Sequence, residues 1–110
     1  MGTWIDLNKD GRKDFLIART NGKAGGGELV WYEHPEGGLD TTPWNEHVIT
    51  TGPDVGTEVH TFNQFRDEIV VFASEFFDEK VAFYRVSLKD GSLVDSRIID
   101  DTTILNAYMV

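Results

Sequence analysis

The strongest constraint on the fold is an internal repeat slightly longer than 50 residues. Residues 14–17 (DFLI) return 54 residues later as EIVV, and residues 28–32 (ELVWY) return 52 residues later as KVAFY. A third match, GTWID at 2–6 with GTEVH, is also spaced by 54 residues. Repeats of this size indicate stacked units that cannot bury their apolar faces alone. We therefore expect one unit at 1–51, a second at 52–101 and the start of a third at 102–110.

Each unit is predicted to contain four short strands. Runs rich in Val, Ile, Phe, Tyr and Trp alternate with Gly, Asn, Asp and Pro, which favour turns. The expected strands are 3–7, 14–19, 28–33 and 46–50 in the first unit, and 58–62, 68–74, 80–86 and 92–100 in the second. The prediction is an all-β fold.

A four-stranded antiparallel unit repeated in tandem is typical of the blade of a β-propeller. Closing a ring takes about four to eight blades, so two blades are expected to be a fragment of a propeller. The missing blades would come from a longer parent chain or from self-association. The alternative is an independent small β-sandwich whose two halves are merely alike.

The charge balance narrows the class of partner. Ten basic residues oppose 19 acidic ones, which gives a net charge of −9 and disfavours phosphate backbones and anionic lipids. We expect neither a nucleic acid nor a membrane as partner, whereas cations are favoured. There is no cysteine, so a thiolate metal site is excluded.

Residues 6–14 have the spacing of a calcium-binding loop. The candidate ligands are the side-chain oxygens of Asp6, Asn8, Asp10 and Asp14 and the backbone carbonyl of Arg12, at positions 1, 3, 5, 9 and 7. Gly11 at position 6 permits a sharp turn. Calcium takes about six to eight oxygen ligands, whereas zinc and copper prefer imidazole and thiolate. The cofactor predicted here is Ca²⁺, and the alternative is a polar turn without an ion.

An EF-hand does not fit, because its bidentate Glu would fall at Ile17, inside a predicted strand. The pattern of strand, Asp-x-Asp-x-Asp-Gly-x-x-Asp loop, strand and Trp31-Tyr32-Glu33 strand instead resembles the FG-GAP or VCBS repeat. Asn8 departs from the usual Asp but also offers an oxygen, and residues 60–68 would be a degenerate copy of the loop. The resemblance implies a calcium-binding propeller with a structural metal site, a recognition role for the parent protein and an extracellular location.

Two other functions stay open. Residues 31–35 and 51–55 also resemble the propeller of fungal aldos-2-ulose dehydratases, lyases that act on anhydro-sugars. In that case Glu58 and His60, two residues apart on one strand, are the catalytic candidates, although a polar strand pair explains them more simply. The third reading is lectin-like carbohydrate binding, for which Trp44 is the ligand-binding candidate because no aromatic residue matches it in the second unit.

Overall fold

The computed structural model describes residues 2–20, 26–54, 56–75 and 80–100. Within those ranges it contains eight strands and no helix. The strands are β1 (Gly2–Ile5), β2 (Asp14–Thr20), β3 (Gly27–Glu33), β4 (Asn45–Thr51), β5 (Thr57–His60), β6 (Glu68–Glu75), β7 (Lys80–Ser87) and β8 (Leu93–Asp100). The eight predicted strands are confirmed, with ends displaced by at most two residues, whereas the third unit at 102–110 lies outside the described residues.

The strands form two four-stranded antiparallel sheets. Sheet 1 has the order β1-β2-β3-β4 and sheet 2 the order β5-β6-β7-β8, so every strand pairs with its neighbour in the chain. The all-β prediction is confirmed at this level. The described residues offer no helix with the length and apolarity that a membrane crossing requires.

The core lies between the two sheets. Sheet 1 contributes Leu16, Leu29 and Trp31, and sheet 2 contributes Val71 and Tyr84, all at most 5% exposed. These residues alternate along their strands with residues on the opposite faces, as the pleat requires. We call the two buried faces the core faces and the two opposite faces the far faces.

Trp31 links the two sheets through a side-chain hydrogen bond. Its indole Nε1 donates a hydrogen bond to the Gly91 carbonyl in the turn between β7 and β8, at 3.1 Å. A Cβ on Gly91 would lie 2.5 Å from the indole ring, and the residue has φ +72°. Glycine is therefore required there for two reasons, close approach and backbone conformation.

The two sheets stack head to tail. Leu16 and Trp31 lie on the core face of sheet 1, but their repeat counterparts Val70 and Phe83 lie on the far face of sheet 2. Conversely, Tyr84 is in the core, whereas its counterpart Tyr32, adjacent to Trp31 on β3, lies on the far face of sheet 1. A two-fold arrangement would bury the same face of both units, so the observed contact is heterologous.

The repeat match at the first strand is out of register with this stacking. Thr3 pairs with Leu16 and Thr57 pairs with Ala73, so both lie on core faces and are not spatial counterparts. The sequence match of Trp4 with Glu58 fails for the same reason. Leu16 pairs with Thr3, whereas its counterpart Val70 pairs with His60, the counterpart of Asp6, so the pairing of the first strand is displaced by three residues between the two sheets.

Candidate metal centre

Asp6 organises the loop between β1 and β2. Its Oδ1 accepts a hydrogen bond from the Asn8 backbone N–H at 3.3 Å, and its Oδ2 accepts one from the Gly11 N–H at 2.8 Å. The chain can turn this tightly because Lys9 and Gly11 adopt φ values of 59° and 85°. Gly11 thus lies at the sharp turn that the sequence predicted.

Asp14 fastens the end of this loop to β3. It is fully buried, and its two carboxylate oxygens accept backbone hydrogen bonds from Leu7 at 2.9 Å and His34 at 2.8 Å. Burial raises the pKa of Asp14 against the lowering effect of these two hydrogen bonds, and the nearby charges of Asp10 and Asp6 raise it further. Such a cluster of negative charge is one that a cation stabilises.

Asp10 already faces a cation in this structure. One oxygen of its carboxylate accepts the Arg12 backbone N–H at 2.9 Å, and the other forms an ion pair with the Arg12 guanidinium at 3.0 Å. Arg12 Nε also donates to the His34 carbonyl at 3.4 Å. The sequence suggested only a carbonyl role for Arg12, and the position of its side chain could not be read from the spacing.

Asn8 carries the one unusual atom of the loop. Its Nδ2 donates to Glu33 Oε2 at 3.3 Å, but its Oδ1 is buried without a hydrogen-bond partner. It is the sole side-chain atom in that condition among the residues that the structure describes. A buried polar atom left unpaired costs about 1–3 kcal/mol, so such an atom in a native protein calls for an explanation.

Glu33 connects this loop to the core. Its second oxygen lies 2.8 Å from His47 Nε2, and the His47 ring stacks on Trp31 with centroids 4.1 Å apart and planes at 16°. Sequence reasoning missed both supporting residues. The alternation of side chains along a strand was the available signal for Glu33, because it is two residues after Trp31 on β3 and therefore shares its face.

The loop fits calcium in donor chemistry but is not assembled as a carboxylate cluster. Within the described residues no group of three or more His, Asp or Glu is placed to hold a metal ion. The carboxylates of Asp6, Asp10 and Asp14 are turned toward backbone N–H groups and Arg12. A site here would also need the Asn8 amide oxygen and the Arg12 carbonyl, and the unpaired Oδ1 of Asn8 is an oxygen of the kind that calcium binds.

The corresponding connection in sheet 2, residues 61–67, is held together differently. The Phe65 N–H donates to the Phe62 carbonyl at 3.0 Å, and the Arg85 guanidinium lies over the Phe65 ring, 4.0 Å from its centroid. Its one carboxylate, Asp67, pairs with Lys9 of the first loop at 3.1 Å, and this hydrogen bond lowers the pKa of Asp67.

Glu58 and His60 lie side by side on the far face of sheet 2. His60 Nε2 is 2.9 Å from Glu58 Oε1, and the two side chains are 47% and 55% exposed, respectively. The His60 ring meets Phe72 edge to face at 5.8 Å. The two residues share a face as expected, but solvent reaches both, so the pair lacks the enclosure that acid–base catalysis usually requires.

Trp44 belongs to an aromatic group beside the first loop. Its ring stacks on His34 at 5.2 Å and meets Trp4 edge to face at 6.2 Å, while its Nε1 donates to the Leu39 carbonyl at 3.3 Å. An open cavity of about 400 Å³ lies beside this group and is lined in part by Arg12. Carbohydrate binding at Trp44 stays a prediction.

No protein-family model matches this sequence, and neither a curated protein nor a solved structure is found to match it.

Proposed function

We propose that this chain is a pair of blades from a calcium-stabilised β-propeller, with one structural calcium ion bound by residues 6–14. The observation that carries the proposal is the buried, unpaired Oδ1 of Asn8. It lies in a loop whose other ligand candidates are all oxygens, at the spacing that folds alternate residues toward one ion. The parent protein is proposed to be an extracellular recognition module, following the FG-GAP and VCBS resemblance.

The stacking of the sheets supports the propeller part of the proposal. Each sheet is a simple meander, and sheet 2 presents to sheet 1 the face that sheet 1 itself presents to solvent. Head-to-tail contacts between like units generate rings when the rotation between units closes. A propeller is the arrangement in which four-stranded sheets repeat in this way around a central axis.

The role proposed for the ion is architectural. The candidate ligands Asn8 and Asp14 connect the β1–β2 loop to Glu33 and His34 at the end of β3. An ion held there would tie three strands of sheet 1 together through one loop. A ligand that binds only the folded state at 100 times its dissociation constant adds about 2.7 kcal/mol to the free energy of unfolding.

The substitution Asn8→Leu tests the proposal through the calcium dependence of its effect. It removes the unpaired oxygen with little change in side-chain size but also the hydrogen bond from Nδ2 to Glu33, so in chelator the two effects oppose each other and the free energy of unfolding should change little. With calcium in excess, the wild type should gain stability and the variant should gain little. Urea denaturation followed by tryptophan fluorescence, run in both conditions, measures the two differences.

The matched control is Asn63→Leu, because Asn63 is an exposed asparagine of the counterpart connection 61–67. It should leave the calcium-dependent gain unchanged. If Asn8→Leu shifts stability equally with calcium and with chelator, residues 6–14 are a polar turn and the calcium proposal fails.

A further inference from the structure

Each sheet leaves its far face, with several apolar residues, uncovered. By the repeat, the far face of sheet 2 corresponds to the core face of sheet 1, and the far face of sheet 1 corresponds to the core face of sheet 2. The two far faces could therefore pack together as the two core faces do. We infer that a second copy of this chain adds end to end, with the far face of its sheet 1 against the far face of sheet 2. The inference rests on the propeller-blade part of the proposed function and is independent of its calcium ion.

The far face of sheet 2 presents aromatic residues around a shallow groove. Phe72 and Phe83 are directly paired across β6 and β7, and both are partly exposed, while Phe62 is 43% exposed. The groove has a volume of about 210 Å³ and is lined by Phe62, Gln64, Phe65, Val70, Phe72 and Phe83. The counterparts of Val70 and Phe83 in sheet 1 are Leu16 and Trp31, which sheet 2 covers. The equivalent face of sheet 2 is therefore expected to be covered by another sheet.

The far face of sheet 1 corresponds to the other side of that contact, the face that sheet 2 buries in the core. Ile17 and Tyr32 are partly exposed, yet their counterparts Val71 and Tyr84 are buried in the core. Trp4, paired with Phe15 on this face, is 54% exposed. Large apolar side chains exposed together on one face indicate an interaction surface.

Arg19 and Arg85, which lie one on each far face, are paired within their own sheets. Arg19 on sheet 1 pairs with Glu46 at 2.7 Å and with Glu28 at 2.9 Å. Arg85 on sheet 2 pairs with Glu68 at 2.8 Å. Covering the faces therefore leaves both guanidinium groups paired, which is the condition under which burial of charged residues is tolerated, and Glu58 on the far face of sheet 2 keeps its contact with His60.

A second copy is the occupant to which these observations point, because the chain itself carries both halves of the contact. A heterologous contact does not stop at two copies unless a ring closes. Rings of about four to eight blades would contain two to four chains.

Complementation between two variants tests this arrangement. Trp4→Asp places a charge on the far face of sheet 1, and Phe62→Asp places one beside the groove of sheet 2. Both positions are exposed, so folding should survive, as circular dichroism would show. Val48→Asp, at a residue 48% exposed on the far face of sheet 1, and Gln64→Asp, at an exposed residue of the groove, replace them if either variant unfolds. Leu39→Asp, at a residue 61% exposed in the β3–β4 connection and outside both faces, is the control.

Sedimentation velocity of the full chain should show concentration-dependent assembly for the wild type and for Leu39→Asp. Each of the two face variants should be monomeric alone. Their equimolar mixture should form a one-to-one complex and nothing larger, because one intact contact remains.

A monomeric wild type, or assembly by either face variant alone, would overturn the inference. Runs in calcium and in chelator separate the two proposals. Assembly in both conditions without calcium-dependent stability would contradict the metal site and leave the head-to-tail contact standing.

Discussion

The loop between the first two strands of each sheet is held by different interactions in sheet 1 (residues 6–13) and in sheet 2 (residues 61–67). The first turns its carboxylates inward onto backbone N–H groups, and it buries an amide oxygen on Asn8 that has no partner. The second has a single carboxylate and is held by a backbone turn and by the contact of Arg85 with Phe65. Equivalent strands can therefore be joined either by a polar loop or by an aromatic one.

The difference has a physical consequence for what each connection requires. An apolar connection is complete once its rings are covered, because apolar atoms need no directional partner. A buried polar connection is complete only when every donor and acceptor is satisfied. The unpaired Asn8 oxygen is the requirement still to be met in the first connection, and this is the basis of the calcium proposal.

The largest difference in stability between the two sheets is expected when their equivalent acidic residues, Asp14 and Glu68, are replaced. Asp14→Ala removes the acceptor for two backbone N–H groups and should lower the free energy of unfolding by about 3 kcal/mol. Glu68→Ala removes a partly exposed ion pair with Arg85, so its loss should be much smaller. Urea denaturation in chelator measures both effects without any metal contribution, and equal losses would contradict the anchoring role given to Asp14.

An intermediate effect is expected at Phe65. Phe65→Ala removes apolar burial and the contact with Arg85, which should cost about 1–2 kcal/mol. The loss should be the same with calcium and with chelator, because the connection 61–67 is not expected to bind an ion. Thermal unfolding in the two conditions checks this, and a loss present only with calcium would show that the second connection also takes part in metal binding.

The smallest effect is expected at Arg12. Arg12→Ala keeps the backbone carbonyl but removes the guanidinium from Asp10, so calcium affinity should rise by at most about fivefold, the equivalent of an exposed ion pair. Lys13→Ala is the control, because it removes the same charge from the neighbouring exposed residue. Competition with a calcium-chelating dye measures both affinities. A lower affinity in Arg12→Ala would mean that the side chain supports the site instead of competing for it.

Strand positions could be predicted from the sequence, because β-rich runs bounded by Gly, Asn and Pro carry local signals that do not depend on partners. The position of Gly11 at the turn was equally local. The register of β1 could not be predicted, because the same repeat spacing is paired with a displacement of three residues between the two sheets. The head-to-tail burial of Trp31 against Gly91, and the supporting roles of Glu33 and His47, arise from contacts between residues far apart in the chain and became visible only in the structure.

The calcium stoichiometry of the intact chain tests the contrast between the two connections most directly. Isothermal titration calorimetry, or equilibrium dialysis with radioactive calcium, should find one specific ion per chain for the wild type and none for Asp10→Ala. No specific ion for the wild type, or two ions of which one survives in Asp10→Ala, would contradict the account.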